Sequence, residues 1–178
     1  MITNHTIDAL LERRSVRAYR AEQISDEELS DILLTARYAP SSMGQQARHI
    51  TVIQNKKLLN DIIVATKKIG EQNGRTFAPN YTPFYNAPTV IAFSAPQDAK
   101  FGREDVACAI MNLMTAAHAY GLGTCYIGTA TGLGAPEIIE QLHLPQGYVP
   151  FGCVTVGYPL DMPPTAAPRR EDDINYIM

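Results

Sequence analysis

The stretch Arg103–Gly128, REDVACAIMNLMTAAHAYGLGTCYIG, decides how this chain folds. Val106, Ala107, Ile110, Leu113, Met114 and Ala117 recur at helical spacing, and several positions between them are small. The spacing predicts a helix from about Arg103 to Tyr120. A helix that is apolar on nearly all sides belongs at the centre of a fold. Gly121 is its expected C-cap, and Thr124 to Gly128 reads as a strand. Gly121-Leu122-Gly123 looks like the opening of a dinucleotide fingerprint, but Tyr126 stands three positions beyond Gly123 and a strand follows. The fingerprint needs a helix there, so a Rossmann reading is rejected.

Working outward, helices and strands are mixed. Ile7, Leu10 and Leu11 give a first helix that ends at Arg13-Arg14-Ser15. Ser25 with Glu28 forms a capping box ahead of a second helix, which Pro40 stops. His49 to Gln54 is β-branched and reads as a strand. Leu58, Leu59, Ile62, Ile63 and Ile69 mark a third helix closing at Asn73-Gly74. Residues 75–87 read as a loop rich in Pro and Tyr. The run TVIAFSA, Thr89 to Ala95, has the continuous apolarity of a buried strand. Ala135-Pro136 opens a short helix, and Val149 to Gly157 is the last strand. Two helices precede the first strand, so the order is not the strict alternation of a doubly wound sheet. The expectation is one α+β domain over residues 1–178, with a central sheet flanked by helices.

Composition sets the outer limits. The chain has 178 residues, 15 Lys+Arg against 18 Asp+Glu, and 46% hydrophobic residues. That length suits one domain of ~100–200 residues with its own core. The net charge of -3 argues against a dedicated nucleic-acid binder. No apolar run approaches the ~20 residues of a membrane span, and Met1 to Leu10 lacks a signal-peptide pattern. Cys108, Cys125 and Cys153 form no CxxC pair and no zinc spacing. They are expected to be buried and reduced, in a cytoplasmic protein.

The chemistry-bearing positions are few. Arg13, Arg14 and Arg17 place three cations within five residues, with Ser15 among them. Arginine forks match phosphate oxygens. A helix C-terminus repels anions, so side-chain charge must do any binding there; the plainer reading is cations complementing the helix dipole. Ala39-Pro40-Ser41-Ser42 suits a turn, or a loop that lets a flat ring approach its backbone. Gln46 adds an amide nearby. Tyr126, Ile127, Gly128 and Thr129 put backbone groups at a strand end. No two histidines have metal-ligand spacing, and His118 is expected to be a satisfied structural histidine. There is no GxSxG, HExxH or P-loop. A protein so equipped relies on a cofactor for its chemistry.

Together these segments resemble the nitroreductase family of FMN-dependent oxidoreductases. The resemblance rests on Arg13-Arg14-Ser15-Val16-Arg17-Ala18-Tyr19, Ala39-Pro40-Ser41-Ser42-Met43 and Ala119-Tyr120-Gly121-Leu122-Gly123-Thr124-Cys125-Tyr126-Ile127-Gly128, in that order, with a late Pro168-Arg169-Arg170. It implies a nitroreductase-like fold with a mixed, mainly antiparallel sheet, and a homodimer with FMN at its interface. It also implies hydride transfer from NADH or NADPH, by a ping-pong mechanism, to a nitroaromatic, quinone or similar small acceptor. A specialised member with another electron donor, or a flavin-binding protein without turnover, are the alternatives.

By position in the resemblance, Arg13, Ser15 and Arg169 would hold the FMN phosphate. Arg14 would lie along the ribityl side and Arg17 at the flavin N1–C2=O edge. Pro40, Ser41, Ser42 and Gln46 would come from the partner chain. Tyr126, Ile127, Gly128 and Thr129 would line the ring. The chain departs from the family pattern where Gly44 replaces a usual asparagine, where Gln46-Ala47-Arg48 stands for Gln-Pro-Trp, and where Gly128-Thr129 stands for Glu-Gly. Residues 70–87 would form a compact version of the variable region over the flavin.

Overall fold

The computed structural model describes residues 4–161 and 165–178; residues 1–3 and 162–164 lie outside it, so the reading of the first residues is only partly covered. Helix α1 spans His5–Glu12, α2 Asp26–Arg37, α3 Lys56–Gln72, α4 Gly102–Ala119 and α5 Pro136–Leu142. Strands are β1 His49–Ile53, β2 Thr89–Pro96, β3 Gly123–Ile127 and β4 Tyr148–Gly157. Two single turns of 3-10 helix, Ser42–Gly44 and Thr131–Gly134, complete the elements.

The four strands form one sheet in the order β1-β2-β4-β3, and all three pairings are antiparallel. The expected parallel component is reduced to a single bridge between Ser15 and Thr124. β2 is continuously apolar because both sheet faces are covered. Ile91, Phe93 and Ala95 join the core beneath α2 and α4. Val90 and Ala92 alternate with them and join the core beneath α3 and α5.

The helix ends follow their local signals. Ser25 and Glu28 complete the capping box of α2, each side chain bonding the other residue's backbone N–H. After α4, Gly121 adopts φ +73°, which a glycine takes without steric cost. Its N–H donates to His118 O at 2.9 Å and the Leu122 N–H donates to Ala117 O at 2.9 Å. That Schellman closure turns the chain straight into β3.

Two expectations are corrected. α4 is not covered all round in the single chain: Val106, Ile110, Leu113, Met114 and Ala117 are buried, but Ala107, Cys108 and Met111 are exposed. Cys108 is therefore a surface thiol, whereas Cys125 and Cys153 are buried. The period alone could not tell a face covered by this chain from one left uncovered.

Candidate functional site

The arginine segment is placed by the sheet edge. Beyond Glu12 the chain leaves α1 with Arg13 at ψ 134°. Val16 N–H then donates to Thr124 O at 2.9 Å, laying residues 13–17 beside β3. Gly123 makes this approach possible, since a Cβ there would sit 2.8–2.9 Å from three side-chain atoms of Val16. Tyr19 anchors the far end. Its hydroxyl donates to Val16 O at 2.8 Å and lies 2.7 Å from Thr155 Oγ1. Burial pushes the Tyr19 phenol well above its ordinary pKa, so it stays a neutral hydroxyl.

The three arginines do different things. Arg14 folds back, and its Nη1 donates to Leu11 O at 2.8 Å and Arg13 O at 2.7 Å. It thus closes the end of α1, the bland role that the helix dipole favours. Arg13 has Nε and Nη1 buried with no hydrogen-bond partner among the described residues. It faces a pocket of about 240 Å³ that His118, Leu122, Gly123 and Thr165 also line. Arg17 is exposed and its guanidinium lies 6.0 Å from the centre of the Tyr85 ring. There it borders a second pocket, of about 450 Å³, with Asn80, Tyr81 and Asn86.

An extended chain alternates its side chains, and Arg13, Ser15 and Arg17 all act on the neighbouring Cys125. Burial raises the Cys125 thiol above its ordinary pKa, against the pull of the Arg17 charge, the Ser15 hydroxyl and the Arg13 charge. The thiol is therefore held protonated beside the cations. Within the strand-end segment, Tyr126, Gly128 and Thr129 are exposed, while Ile127 is buried in the α3–α5 core. Ile127 thus offers only its backbone to a ligand. Arg169 is exposed, and its Nη1 donates weakly to Ala167 O at 3.4 Å, with no contact to the Arg13 pocket.

The second group of expected residues lies elsewhere. The Pro40–Gln46 loop follows α2 and is pinned at both ends. The Ser42 N–H donates to Asp105 Oδ1 at 2.8 Å, in the first turn of α4, and the Gln46 N–H donates to Ser41 Oγ at 2.9 Å. Met43, Gly44 and Gln46 all have positive φ, near +50° to +66°. For Met43 and Gln46 this is strain that the surrounding bonds must hold in place. Arg48 braces the entry to the loop, its Nη2 donating to Arg37 O and Ala39 O.

The loop meets α4 at Asp105, whereas the arginine pocket meets it at His118. Thirteen residues of helix separate these points, about 20 Å at 1.5 Å per residue. The structure brings Arg13, Arg14, Ser15 and Arg17 together with the β3 end. It does not bring Pro40, Ser41, Ser42 or Gln46 to them within one chain.

Sequence reasoning missed Tyr85, Asp105, Arg48 and the position of His118. His118 is half-buried, lines the arginine pocket and makes no side-chain hydrogen bond among the described residues. Only Tyr85 had a local signal, in the aromatic loop that contains it.

The chain matches the Nitroreductase family over residues 10–158. That covers most of its length. This chain belongs to the nitroreductase family. An FMN-dependent nitroreductase from Clostridium difficile superposes with a TM-score of 0.89 at 31% identity, covering 97% of this chain and 99% of the other. A nitroreductase from Bacteroides fragilis, solved with bound FMN, superposes with a TM-score of 0.86 at 29% identity over 99% of this chain and all of the other. In sequence, this family member is 30% identical to an FMN reductase [NAD(P)H] of Bacillus subtilis, over 89% of this chain and 67% of that protein. The described residues thus carry the nitroreductase fold. Among them no helix is long and apolar enough to cross a membrane.

Proposed function

We propose that this chain is an FMN-dependent NAD(P)H oxidoreductase that works as a cytoplasmic homodimer. NADH or NADPH is the donor, and a nitroaromatic, quinone or similar small molecule is the acceptor, the two visiting one site in turn. The observation that carries the reading is the pair of buried nitrogens on Arg13 that have no partner among the described residues. Leaving such donors unmade costs about 1–3 kcal/mol each. They are explained if an anionic ligand completes them, and the phosphate of FMN has the charge and the acceptor oxygens to do so.

In this assignment Arg13 and Ser15 hold the phosphate, with Arg169 as a further cation once the tail is packed. Arg14 holds the end of α1 in place through Nη1 and offers Nε and Nη2 to the ribityl side. Arg17 supplies positive charge at the pyrimidine edge of the ring. FMN, when bound, supplies the hydride-accepting and hydride-donating chemistry that no side chain here provides. Tyr126, Gly128 and Thr129 border the ring, with Ile127 contributing backbone.

The separation along α4 supports the dimer. Pro40, Ser41, Ser42 and Gln46 reach an Arg13 pocket only if a second copy delivers them. α4 leaves Ala107, Cys108 and Met111 uncovered beside that loop's anchor at Asp105. Tyr38 and Met43 are 81% and 88% exposed, more than large apolar groups near a finished surface usually are. An interface along α4 covers these groups and joins the two half-sites.

The test is spectroscopic. Purified protein should sediment as a dimer, show the visible flavin absorbance band, and bleach anaerobically on adding NADH or NADPH. Met111→Glu should give a monomer that loses flavin. A colourless protein that takes up no added FMN refutes the cofactor assignment, and a flavin-loaded monomer refutes the two-chain site.

A further inference from the structure

A separate cleft lies on the α3 side of the sheet, between the N-terminal half of α3 and residues 82–88. Its volume is about 350 Å³. Leu59, Ile63, Phe84, Ala87 and Pro88 make its apolar wall, and the first three also pack into the α3–α5 core. The chain around it is fixed. The Gln23 side chain donates to Pro88 O at 2.8 Å and accepts from Thr89 Oγ1 at 2.6 Å, tying that side of the cleft to the start of β2. Asn55 caps α3 by accepting from the Leu58 N–H at 3.0 Å, and the Ala87 N–H donates to Phe84 O at 2.9 Å across the loop. The cleft meets the Arg17 pocket only at Thr82 and Asn86. No residue of α4 or of the Pro40–Gln46 loop lines it.

The rim carries one charge, and it is positive. Lys56, in the first turn of α3, borders the cleft beside Asn60 and Asn86. None of the three side chains makes a hydrogen bond or ion pair among the described residues. The neighbouring Lys57 does, to Asp61 at 2.7 Å. A cation at a helix N-terminus opposes the dipole, and the first turn of α3 has no carboxylate to offset it. No acidic side chain lines the cleft. A negative group at the rim offsets that opposition, and the two amides can donate to its oxygens. One lysine balances one negative charge, so a carboxylate suits the rim better than a doubly charged phosphate. The volume is at the lower end of the roughly 300–1,000 Å³ of small-molecule sites. It takes a single ring or a short chain, not a dinucleotide.

We propose that this cleft binds a small carboxylic acid with an apolar body. The body lies against Leu59 and Ile63, and the carboxylate sits at Lys56, Asn60 and Asn86. Burial of the apolar body drives binding. The charge at the rim selects the acid over its neutral analogues. Arg13, Ser15, Arg17 and the end of β3 line other clefts, so the ligand takes no part in electron transfer and leaves the flavin site open.

Methyl NMR on the purified full-length protein tests this. The protein is labelled at Leu and Ile methyls and titrated with 3-phenylpropionate, 3-phenylpropan-1-ol and propionate. The phenyl acid should shift the Leu59 and Ile63 methyls saturably. The alcohol should bind about fivefold more weakly, the size of one partly exposed charge pair. Propionate, which lacks the ring, should bind more weakly still. Lys56→Gln should erase the preference for acid over alcohol, and Lys56→Arg should keep it. Asn60→Asp, an exposed near-isosteric change, should weaken the acid and spare the alcohol. Added FMN or NADH should not displace the acid. Absence of saturable shifts at Leu59 and Ile63, or equal affinity for acid and alcohol, overturns the proposal. So does a preference that persists in Lys56→Gln. Displacement by FMN or NADH places the acid in the flavin site and overturns it as well.

Discussion

Arg13→Ala separates a ligand-binding arginine from a structural one by the sign of its two effects. The Arg13 Nε and Nη1 are buried and have no hydrogen-bond partner among the described residues. Each such donor costs about 1–3 kcal/mol of desolvation that nothing returns. Removing them should therefore leave the stability of flavin-free protein unchanged or raise it. The loaded protein should respond in the opposite direction. Two charge-assisted bonds at about 1.5–3 kcal/mol each amount to ~3–6 kcal/mol of binding. At 1.4 kcal/mol per decade, FMN affinity should fall on the order of 10²- to 10⁴-fold. Titration of flavin-free protein with FMN, followed by fluorescence quenching, measures the second effect, and chemical denaturation of the flavin-free dimer measures the first. Arg13→Lys should fall between, retaining charge without the fork. An FMN affinity unchanged in Arg13→Ala refutes the phosphate role. A stability loss matching the affinity loss would show that Arg13 holds the fold instead.

Other consequences follow from neighbouring contacts. Arg17→Ala should lower the flavin reduction potential or slow reduction by NAD(P)H while FMN binding is largely kept; an unaltered potential and rate place Arg17 elsewhere. Gly123→Ala drives a methyl into Val16. Overpacking of this kind costs about 1–3 kcal/mol, so a lower Tm with weakened FMN retention is expected, and a wild-type Tm would contradict the packing. The Tyr158 hydroxyl and the Ser25 backbone and side chain hold the Glu28 carboxyl below its ordinary value of 4.5. A carboxylate whose folded pKa is depressed contributes stability above the unfolded value and loses it as pH falls through the folded one. Stability should thus decline on acidification below about pH 4.5, and less steeply in Tyr158→Phe. Equal acid profiles in denaturation experiments would remove Glu28 from the account.

The sequence carried the local structure because its signals are short-range. Ser25 and Glu28 specify their cap within one helical turn, Gly121 its left-handed turn, and TVIAFSA a strand covered on both faces. Arg13, Arg14 and Arg17 within five residues, with Ser15 among them, were likewise enough to suggest a phosphate site beside the plainer reading of cations complementing the helix dipole. Their identical chemistry hid a division of labour. Arg13, Arg14 and Arg17 look alike in sequence, and only the path of the chain after α1 turns Arg14 back on Leu11 O and leaves Arg13 without a partner among the described residues.

What the tertiary structure alone decided is who meets whom. Gly123 is glycine because Val16, more than a hundred residues earlier, lies against it. Cys108 and Met111 are exposed because none of the described elements covers that side of α4. Arg48 has no local signal, since the carbonyls it holds belong to the end of α2. The two halves of the expected cofactor site lie about 20 Å apart along α4. Sequence order is blind to that distance. Motif spacing counts residues along the chain, whereas a ligand is held by atoms close in space, and in the proposed dimer a second chain supplies that closeness.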